Sequence, residues 1–187
     1  MIAIVDYGVG NLFSLKSSFA AIGHEAVVTG DAADKLRATG LDQVVIEEAR
    51  RGKPLMGICL GMQLLFDKGY EYGEHDGLGL IPGEVRPIAE VIPAGLKIPH
   101  IGWNALRFTE NKSPLFKYIK EGDCVYFVHS FYAANCEPAV IANAEYGALL
   151  TAAVQRSNVC GCQFHPEKSG KVGLHILKAF CEEGTLC

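Results

Sequence analysis

Short apolar runs alternate with helix-like stripes along the first part of the chain. Ile2–Val5 is apolar throughout, which is typical of a strand buried on both faces of a sheet. Residues 11–22 carry apolar side chains at three- and four-residue spacing, which predicts a helix that ends at Gly23. A second strand is predicted at 25–29 and a helix at Leu41–Arg50, so this order indicates βαβαβ connections, right-handed crossovers and a parallel sheet.

The remainder of the chain favours strands until its last helix. Residues 82–108 alternate apolar runs with Pro and Gly, which is typical of strands in a mixed sheet. Leu174, Leu177 and Cys181 recur at helical spacing and predict a closing amphipathic helix over 172–183. The other predicted strands lie within 123–132, 140–142, 149–155 and 158–164.

Composition and charge indicate one ordinary globular domain spanning 1–187. Of the 187 residues, 49% are hydrophobic and 20% are charged, which suffices for a sizeable core. The net charge of -4 and the pI near 5.9 give no electrostatic reason to expect nucleic acid or an anionic membrane as a partner. No apolar run is long enough to span a bilayer and residues 1–5 show no leader features, so we expect a cytoplasmic protein.

The seven cysteines are interpreted as free thiols, because their number is odd and the expected compartment is reducing. Cys160 and Cys162 are spaced C-x-C, but a metal site is disfavoured because no second pair with ligand spacing exists and both lie on a predicted strand. A phosphate-binding loop at Gly8 and Gly10 is also disfavoured, because Phe13 replaces the third glycine of the dinucleotide motif. We therefore expect no metal and no organic cofactor.

The joint between a strand and a helix carries the first candidate for chemistry. Leu55–Ile58 predicts a buried strand and 62–66 begins an apolar helical stripe, so Cys59 lies between them. Gly57 and Gly61 permit the close backbone approach that a sharp strand-to-helix turn requires. A helix N-terminus favours a thiolate and can bind an oxyanion, so Cys59 is a candidate nucleophile. The alternative is a small buried hydrophobe.

The second candidate lies in the stretch 161–169. An alternating strand ends in His165 and Glu167 follows two residues later, as expected of a catalytic base and the carboxylate that orients it. Because the carboxyl ends of parallel strands share one edge of a sheet, Cys59 and His165 can meet. His129 is the rival base, since it also ends a predicted strand, but it lacks a nearby carboxylate. No special role is assigned to the histidines expected in loops or helix, which are His24, His75, His100 and His175.

Together these stretches resemble a known family. Residues 57–63 (GICLGMQ) and 163–169 (QFHPEKS) are similar to the motifs of class I glutamine amidotransferases, most closely the glutaminase subunits of imidazole glycerol phosphate synthase. The resemblance runs nearly from end to end and includes the stretches 6–12, 77–83, 99–104 and 126–130. It implies a flavodoxin-like, three-layer α/β fold with a mostly parallel central sheet.

The resemblance implies a catalytic triad of Cys59, His165 and Glu167. The Cys59 thiolate would attack the carboxamide of L-glutamine, His165 would protonate the leaving ammonia, and water would then release glutamate. The residues implied to bind the substrate are Leu60, whose N–H would be an oxyanion donor, with Gln63, Glu71, Ser130 and Phe131. For Glu71 the alternative is a solvated acidic residue in a polar loop.

A partner subunit is also implied, because ammonia released into water would be protonated and diluted. The resemblance implies a heterodimer in which ammonia is channelled to a (β/α)₈ cyclase subunit that makes imidazole glycerol phosphate in histidine biosynthesis. Trp103 would face this partner, Tyr126 would line the ammonia exit, and Lys168 and Ser169 would couple the interface to the active site. The alternatives are a core position for Trp103 and a solvent-exposed helix start for Lys168 and Ser169.

One part of the family pattern is missing from the sequence near 34–40. Relatives carry a further strand and a Pro-Gly-Val-Gly loop there, on the order of 15 to 25 residues, and a backbone N–H of that loop completes the oxyanion hole. Either the printed sequence omits residues that the protein carries, or the protein lacks them. We favour the first explanation, because a deletion would remove a sheet strand together with a donor whose loss costs roughly 10²- to 10³-fold in rate.

Two other functions remain open at this point. The chain could be the glutaminase subunit of another synthase, such as that of pyridoxal phosphate, and ammonia transfer with each candidate partner would distinguish them. It could instead be a catalytically silent scaffold or regulatory subunit if the oxyanion loop is deleted. Glutamine hydrolysis that Cys59→Ala abolishes would exclude the silent subunit.

Overall fold

The computed structural model describes residues 2–5, 12–29, 40–110 and 112–183. Strands and helices alternate at first, as β1 (Ile2–Val5), α1 (Leu12–Ala21), β2 (Ala26–Thr29), α2 (Leu41–Arg50), β3 (Leu55–Ile58) and α3 (Leu60–Gln63). Shorter strands follow, namely β4 (Lys68–Gly69), β5 (His75–Asp76), β6 (Glu84–Pro87), β7 (His100–Ala105) and β8 (Arg107–Phe108). The last part comprises β9 (Cys124–His129), β10 (Phe131–Ala134), β11 (Val140–Glu145), β12 (Leu149–Arg156), β13 (Val159–Cys162) and α4 (Gly170–Glu183). Single 3₁₀ turns occupy Ile88–Glu90, Pro114–Phe116, Glu137–Ala139 and Pro166–Lys168.

The predicted elements are largely confirmed by these bounds. β3 and α2 have the predicted limits, while α1 and β2 lie within the ranges expected of them. The closing helix begins at Gly170, two residues earlier than predicted, and Leu177 is fully buried in it. Local hydrophobic periodicity therefore sets these elements.

The strand pairing is mixed, so the mostly parallel sheet that the resemblance implies is shown only in part. A five-stranded sheet has the order β3-β13-β12-β11-β8, in which β3 and β13 run parallel and the other neighbours are antiparallel. β1 and β2 form a separate parallel pair. The smaller sheets are β10-β6-β4-β5 and the antiparallel pair β7-β9.

Two hydrophobic clusters cover opposite faces of the five-stranded sheet. Val159 and Cys160 are successive residues of β13, so their side chains point to opposite faces. Cys160 belongs to a cluster that includes Ile176 of α4, while Val159 belongs to one that includes Met62 of α3. Helical segments on both sides of the sheet give the α/β layering that was predicted.

The carboxyl ends of β3 and β13 lie side by side and position the candidate site. Ile58 is in register with Cys162, and the Cys59 N–H donates to the Cys162 carbonyl at 2.8 Å. The chain leaves both strands at the same edge, so the residues after them meet there, as the argument from parallel strands predicts. None of the helices among the described residues is long and apolar enough to cross a membrane.

The helix after Cys59 is shorter than the apolar stripe predicts. It ends at Gln63, and the carbonyls of Leu64, Leu65 and Phe66 accept hydrogen bonds from N–H groups at 78–81 instead of continuing the helix. The expectation of a helix through Phe66 was therefore wrong, because contacts distant in sequence take its hydrogen bonds. A helix this short contributes less dipole to the thiol than the sequence argument assumed.

Candidate functional site

Cys59 has the backbone conformation of a nucleophile elbow. Its φ of 51° and ψ of -111° lie outside the regions that L-residues ordinarily occupy, and it is the residue between β3 and α3. Such a conformation costs on the order of 1–3 kcal/mol and persists where the surrounding structure holds it. The turn projects the Cys59 thiol from the sheet edge, where the sulfur lies 3.9 Å from the Val128 carbonyl oxygen.

Gly57 is required for this turn for a steric reason. A Cβ atom at Gly57 would lie 2.5 Å from the carbonyl oxygen of Gly61 and 2.6 Å from the Met62 nitrogen. Both are backbone atoms, so they cannot rotate away as a side chain would. The close approach predicted at Gly57 is confirmed.

His165 and Glu167 form a buried, hydrogen-bonded pair. Nδ1 of His165 lies 2.7 Å from Oε1 of Glu167, and the exposed fractions of the two side chains are 11% and 3%. The other carboxylate oxygen, Oε2, is buried and has no hydrogen-bond partner within the described part of the chain. With Nδ1 engaged in this way, Nε2 is the ring nitrogen left to face Cys59.

The environment of His165 favours the protonated ring. Burial lowers its pKa, but hydrogen bonds to the Cys59 thiol and to the Glu167 carboxylate, with the charges of both groups, outweigh burial and raise the pKa to about 9. His165 is thus an imidazolium at neutral pH and has a proton to give. The structure brings together the three residues that the sequence placed in the triad.

His129, the rival base, is engaged elsewhere. Its Nδ1 lies 2.7 Å from the Phe131 carbonyl oxygen and its Nε2 lies 3.0 Å from Nδ1 of His100. Burial lowers the pKa of His129 to about 4, and the charges of His100 and His165 act in the same direction. Both ring nitrogens are occupied, so His129 is not arranged to serve as the base.

The sequence predicted His100 in a loop or helix, and the structure places it in a strand. It begins β7, is 3% exposed, and stacks on Phe127 at 4.9 Å and on Tyr146 at 4.1 Å between ring centroids. Its partner is fixed by the β7-β9 register, which places it directly opposite His129. Nothing local in the sequence could have indicated this pairing.

Two hydrogen-bonded glutamine side chains lie beside Cys59, and one of them contacts the sulfur. Nε2 of Gln163 lies 3.6 Å from the Cys59 sulfur, and its Oε1 accepts a hydrogen bond of 3.0 Å from Nε2 of Gln63. Nε2 of Gln63 also donates to the Phe131 carbonyl at 3.5 Å. Gln63 was predicted to bind substrate and here lies at the site, while Gln163, which is completely buried, was missed because a glutamine directly after a strand carries no signal of its own.

The other residues predicted to bind substrate are spread around this edge. Leu60 is the first residue of α3, where backbone N–H groups have no acceptor within the helix. Ser130 and Phe131 lie where β9 passes into β10, and both are half-buried. Glu71 lies in the turn between β4 and β5 and is also half-buried. The carbonyl of Phe131 touches both Gln63 and His129, so this residue is tied to the thiol's surroundings.

Three of the four residues predicted for the partner face, Trp103, Tyr126 and Lys168, form a connected group, while Ser169 is buried behind them and bonded to the Tyr126 N–H. Trp103 is 57% exposed, not a core residue, and packs edge-on against Tyr126 at 6.2 Å between ring centroids. The Lys168 ammonium lies 5.9 Å from the centre of the Tyr126 ring. Ser169 is 1% exposed and so is not part of a solvent-exposed helix start, whereas Lys168 is exposed.

Two predicted features lie outside the described residues. The turn 6–10 with its Gly8-x-Gly10 pair is one, and most of the apparent missing segment near 34–40 is the other. The second oxyanion donor that the resemblance implies for that segment therefore also lies outside the described residues.

Cys160 and Cys162 are both buried in the strand leading to His165. Burial raises the pKa of Cys160 to about 12 and holds that of Cys162 well above its usual value, so both are thiols at neutral pH. Their sulfurs donate weakly to the carbonyls of Leu55 and Gly57. No group of three or more possible metal ligands occurs within the described residues, and the two cysteines act as small apolar residues of the core.

Comparison with known proteins gives a consistent set of relatives. The family description "Glutamine amidotransferase class-I" matches residues 27–183. The chain is 44% identical to imidazole glycerol phosphate synthase subunit HisH of Wolinella succinogenes, over 98% of this chain and 100% of that protein. It is 43% identical to the subunit of the same name from Lactococcus lactis, over 97% and 98% of the two chains. The 206 positions aligned with the Wolinella protein exceed the 187 residues of this chain, so that relative carries residues with no counterpart here.

Solved structures support the fold. A crystal structure of a glutamine amidotransferase superposes with a TM-score of 0.75 at 17% identity and covers 99% of this chain and 100% of its own. A glutamine amidotransferase from Thermotoga maritima gives a TM-score of 0.67 at 11% identity, over 100% and 99% of the two chains. At these identities the likeness concerns the fold alone.

Proposed function

Because the chain belongs to the class I glutamine amidotransferases, and within them to the HisH subunits of imidazole glycerol phosphate synthase, we propose that it hydrolyses L-glutamine and delivers the ammonia to a synthase partner. The observation that carries the proposal is the arrangement of Cys59, His165 and Glu167. The strained elbow presents the thiol, the imidazolium faces it, and the buried carboxylate holds the ring.

The first half of the reaction is acyl transfer to the thiol. The Cys59 thiolate attacks the side-chain carbonyl carbon of glutamine, a carbon–sulfur bond forms, and the oxyanion is met by the Leu60 N–H. His165 gives its Nε2 proton to the amide nitrogen as the carbon–nitrogen bond breaks, so ammonia leaves and a γ-glutamyl thioester remains. The pKa of about 9 means that His165 holds this proton at neutral pH.

The second half of the reaction regenerates the thiolate. His165, now neutral, takes a proton from water, the oxygen attacks the thioester carbon, and the carbon–sulfur bond breaks to release glutamate. Glu167 keeps the ring in one orientation through both steps and stabilises its charged form. The two halves of the reaction use these side chains, the Leu60 N–H and water.

The substrate's remaining groups are assigned to residues around the thiol. We assign the α-ammonium of glutamine to Glu71 and the rest of the substrate to Gln63 and to the backbone of Ser130 and Phe131. The assignments of Gln63 and Phe131 are supported by their position, since these two residues are hydrogen-bonded to each other and, through Gln163, to the Cys59 sulfur.

The partner proposed for this chain is a (β/α)₈ cyclase subunit, bound as a heterodimer. Ile101 and Trp103 alternate with buried His100 along β7 and are 58% and 57% exposed, so one face of this strand presents large apolar side chains to solvent. Tyr126 and Lys168 lie beside Trp103 and near His165, which suits an exit for ammonia and a link between interface and active site.

The test is glutamate release by the purified chain mixed with its cyclase partner and the partner's ligand. Cys59→Ala is expected to abolish hydrolysis, while Cys124→Ala, which removes an exposed thiol elsewhere, is expected to leave it unchanged. Hydrolysis that survives Cys59→Ala would overturn the proposed mechanism. Transfer of ammonia to a pyridoxal phosphate synthase, and not to the cyclase, would show that the proposed partner is wrong.

A catalytically silent subunit is the second candidate function. The observation that favours it is the alignment with the Wolinella protein, which contains positions that this chain lacks. Inserting the relative's unmatched residues between 34 and 40 is the direct test. If the parent is inactive with partner and ligand present and the insertion restores turnover, the chain as it stands is silent; equal turnover in both would exclude that function.

A further inference from the structure

We propose that Gln163 stabilises the Cys59 thiolate by donating a hydrogen bond from its side-chain amide to the sulfur. The inference rests on the proposed function, in which this sulfur is the nucleophile. Gln163 then belongs to the catalytic machinery as a neutral donor, beside the charged donor His165.

The orientation of the Gln163 amide follows from a chain of hydrogen bonds that begins at a carbonyl. The Phe131 carbonyl can only accept, so it must meet the Nε2 end of the Gln63 amide, at 3.5 Å. Gln63 is thereby turned to donate to Oε1 of Gln163 at 3.0 Å. Oε1 of Gln163 is then occupied, and its Nε2 is the end left to face the sulfur at 3.6 Å.

Because Gln163 is buried, its hydrogen bond can stabilise the negative charge on the sulfur effectively. Gln163 is 0% exposed, so water does not compete for its N–H groups, and a buried donor aimed at an anion stabilises it more than one in water. Its backbone N–H is fixed as well, by a 2.9 Å hydrogen bond to the Ala152 carbonyl. The side chain therefore meets the sulfur in a defined geometry before substrate arrives.

Titratable groups also surround the Cys59 sulfur. His165 is hydrogen-bonded to the thiol and carries positive charge, Glu167 lies behind His165, and Cys162 is a buried neutral neighbour. His129 lies near His165 but is neutral, because burial lowers its pKa to about 4. Gln163 is therefore the uncharged donor to the sulfur among these groups.

The test is the pH dependence of Cys59 alkylation, which needs neither glutamine nor a partner. The thiolate displaces iodide from iodoacetamide, forming a carbon–sulfur bond, so the rate follows the thiolate fraction; mass spectrometry of the peptide that contains Cys59 separates it from the other cysteines. Gln163→Met keeps the side chain's length and removes the donor. It is expected to slow alkylation about tenfold at pH 7, because the thiolate loses a donor and its fraction falls.

Gln155→Met is the matched control. Gln155 is a glutamine of β12 whose amide is also hydrogen-bonded, to Ser113 and Ser157, but it does not touch Cys59. Its alkylation profile is expected to coincide with that of the parent. Gln63→Met is the second variant, since it removes the group that orients Gln163 and should shift the profile in the same direction by less.

The outcomes separate this inference from the proposed function. If the alkylation profiles of Gln163→Met and Gln63→Met both coincide with that of the parent, the inference about Gln163 is overturned. If Gln163→Met does not fold, the shift or lack of shift in Gln63→Met decides. A shifted alkylation profile in a chain that hydrolyses no glutamine would leave the inference standing and remove the proposed function instead.

Discussion

The hydroxyl of Ser169 donates a hydrogen bond of 2.7 Å to the carbonyl oxygen of His165. The same hydroxyl oxygen accepts the N–H of Tyr126 at 2.9 Å, and the N–H of His165 donates to the Tyr126 carbonyl at 2.9 Å. The backbone of the candidate base is thus fastened on both sides to the strand that carries Tyr126. A displacement of the face formed by Tyr126 and Trp103 would therefore displace the backbone of His165 through these hydrogen bonds.

Ser169→Ala is expected to lower the free energy of unfolding by about 1–3 kcal/mol, because it leaves the half-buried N–H of Tyr126 without an acceptor and removes one of the two donors to the His165 carbonyl, which keeps the Lys168 N–H at 3.0 Å. Urea denaturation at pH 7 measures the change. Ser17→Ala, on the exposed face of α1, is the control and should change stability little. If Ser169 also links the partner to the site, stimulation of glutamine hydrolysis by the partner should fall more than basal hydrolysis; equal losses would speak against the link.

Glu167→Gln is expected to reduce glutamine turnover by about 10²- to 10⁴-fold. The variant keeps the shape of the side chain but removes the charge that holds the His165 ring and stabilises its protonated form. Glu137→Gln, in the 3₁₀ turn away from the site, is a suitable control. Turnover within a few-fold of the parent would show that Glu167 is not the third member of a triad.

The raised pKa of His165 also predicts a loss of stability at alkaline pH. The ring binds a proton more tightly in the folded chain, where its pKa is about 9, than in the unfolded chain at about 6.5, so its contribution is fully present below pH 6.5 and is lost as the pH rises through 9. The free energy of unfolding, measured across that window, should fall more in the parent than in His165→Gln. Parallel curves would contradict the assigned pKa.

His129 predicts the opposite behaviour at acid pH. Its pKa is lowered to about 4 in the fold against about 6.5 when unfolded, so the unfolded chain binds the extra proton first. Stability linked to neutral His129 is therefore present above pH 6.5 and is lost as the pH falls toward 4. His129→Gln should flatten the decline of the free energy of unfolding between pH 6.5 and 4, while His175→Gln, on an exposed position of α4, should leave the decline unchanged.

The sequence predicted the parts of the site that depend on strand ends and short-range sterics. The elbow at Cys59 and the position of His165 follow from apolar runs that stop at the same sheet edge. The need for a glycine at position 57 follows from the tightness of the turn. The three-residue group Cys59, His165 and Glu167 was predicted from local patterns, from the assumption that the strands before Cys59 and His165 run parallel, and from the family resemblance.

The parts that were missed depend on contacts between distant segments. The early end of α3 reflects hydrogen bonds from 78–81, and the pairing of His100 with His129 reflects the β7-β9 register. The orientation of the Gln163 amide depends on Phe131, more than thirty residues away. The antiparallel neighbours of β12 likewise follow from hairpin connections that hydrophobic periodicity does not distinguish from parallel ones.

Gly57→Ala is expected to destabilise the fold by about 3 kcal/mol and to reduce glutamine turnover, because the added Cβ would meet backbone atoms of Gly61 and Met62 at 2.5–2.6 Å. Relief requires the strand and α3 to separate, which displaces the Cys59 thiol from His165. Gly69→Ala makes the same chemical change in a strand where the nearest atom to the new Cβ is 4.0 Å away, so its unfolding midpoint in urea should match the parent's. A Gly57→Ala variant as stable as Gly69→Ala would mean that the elbow does not depend on the close approach of these backbones.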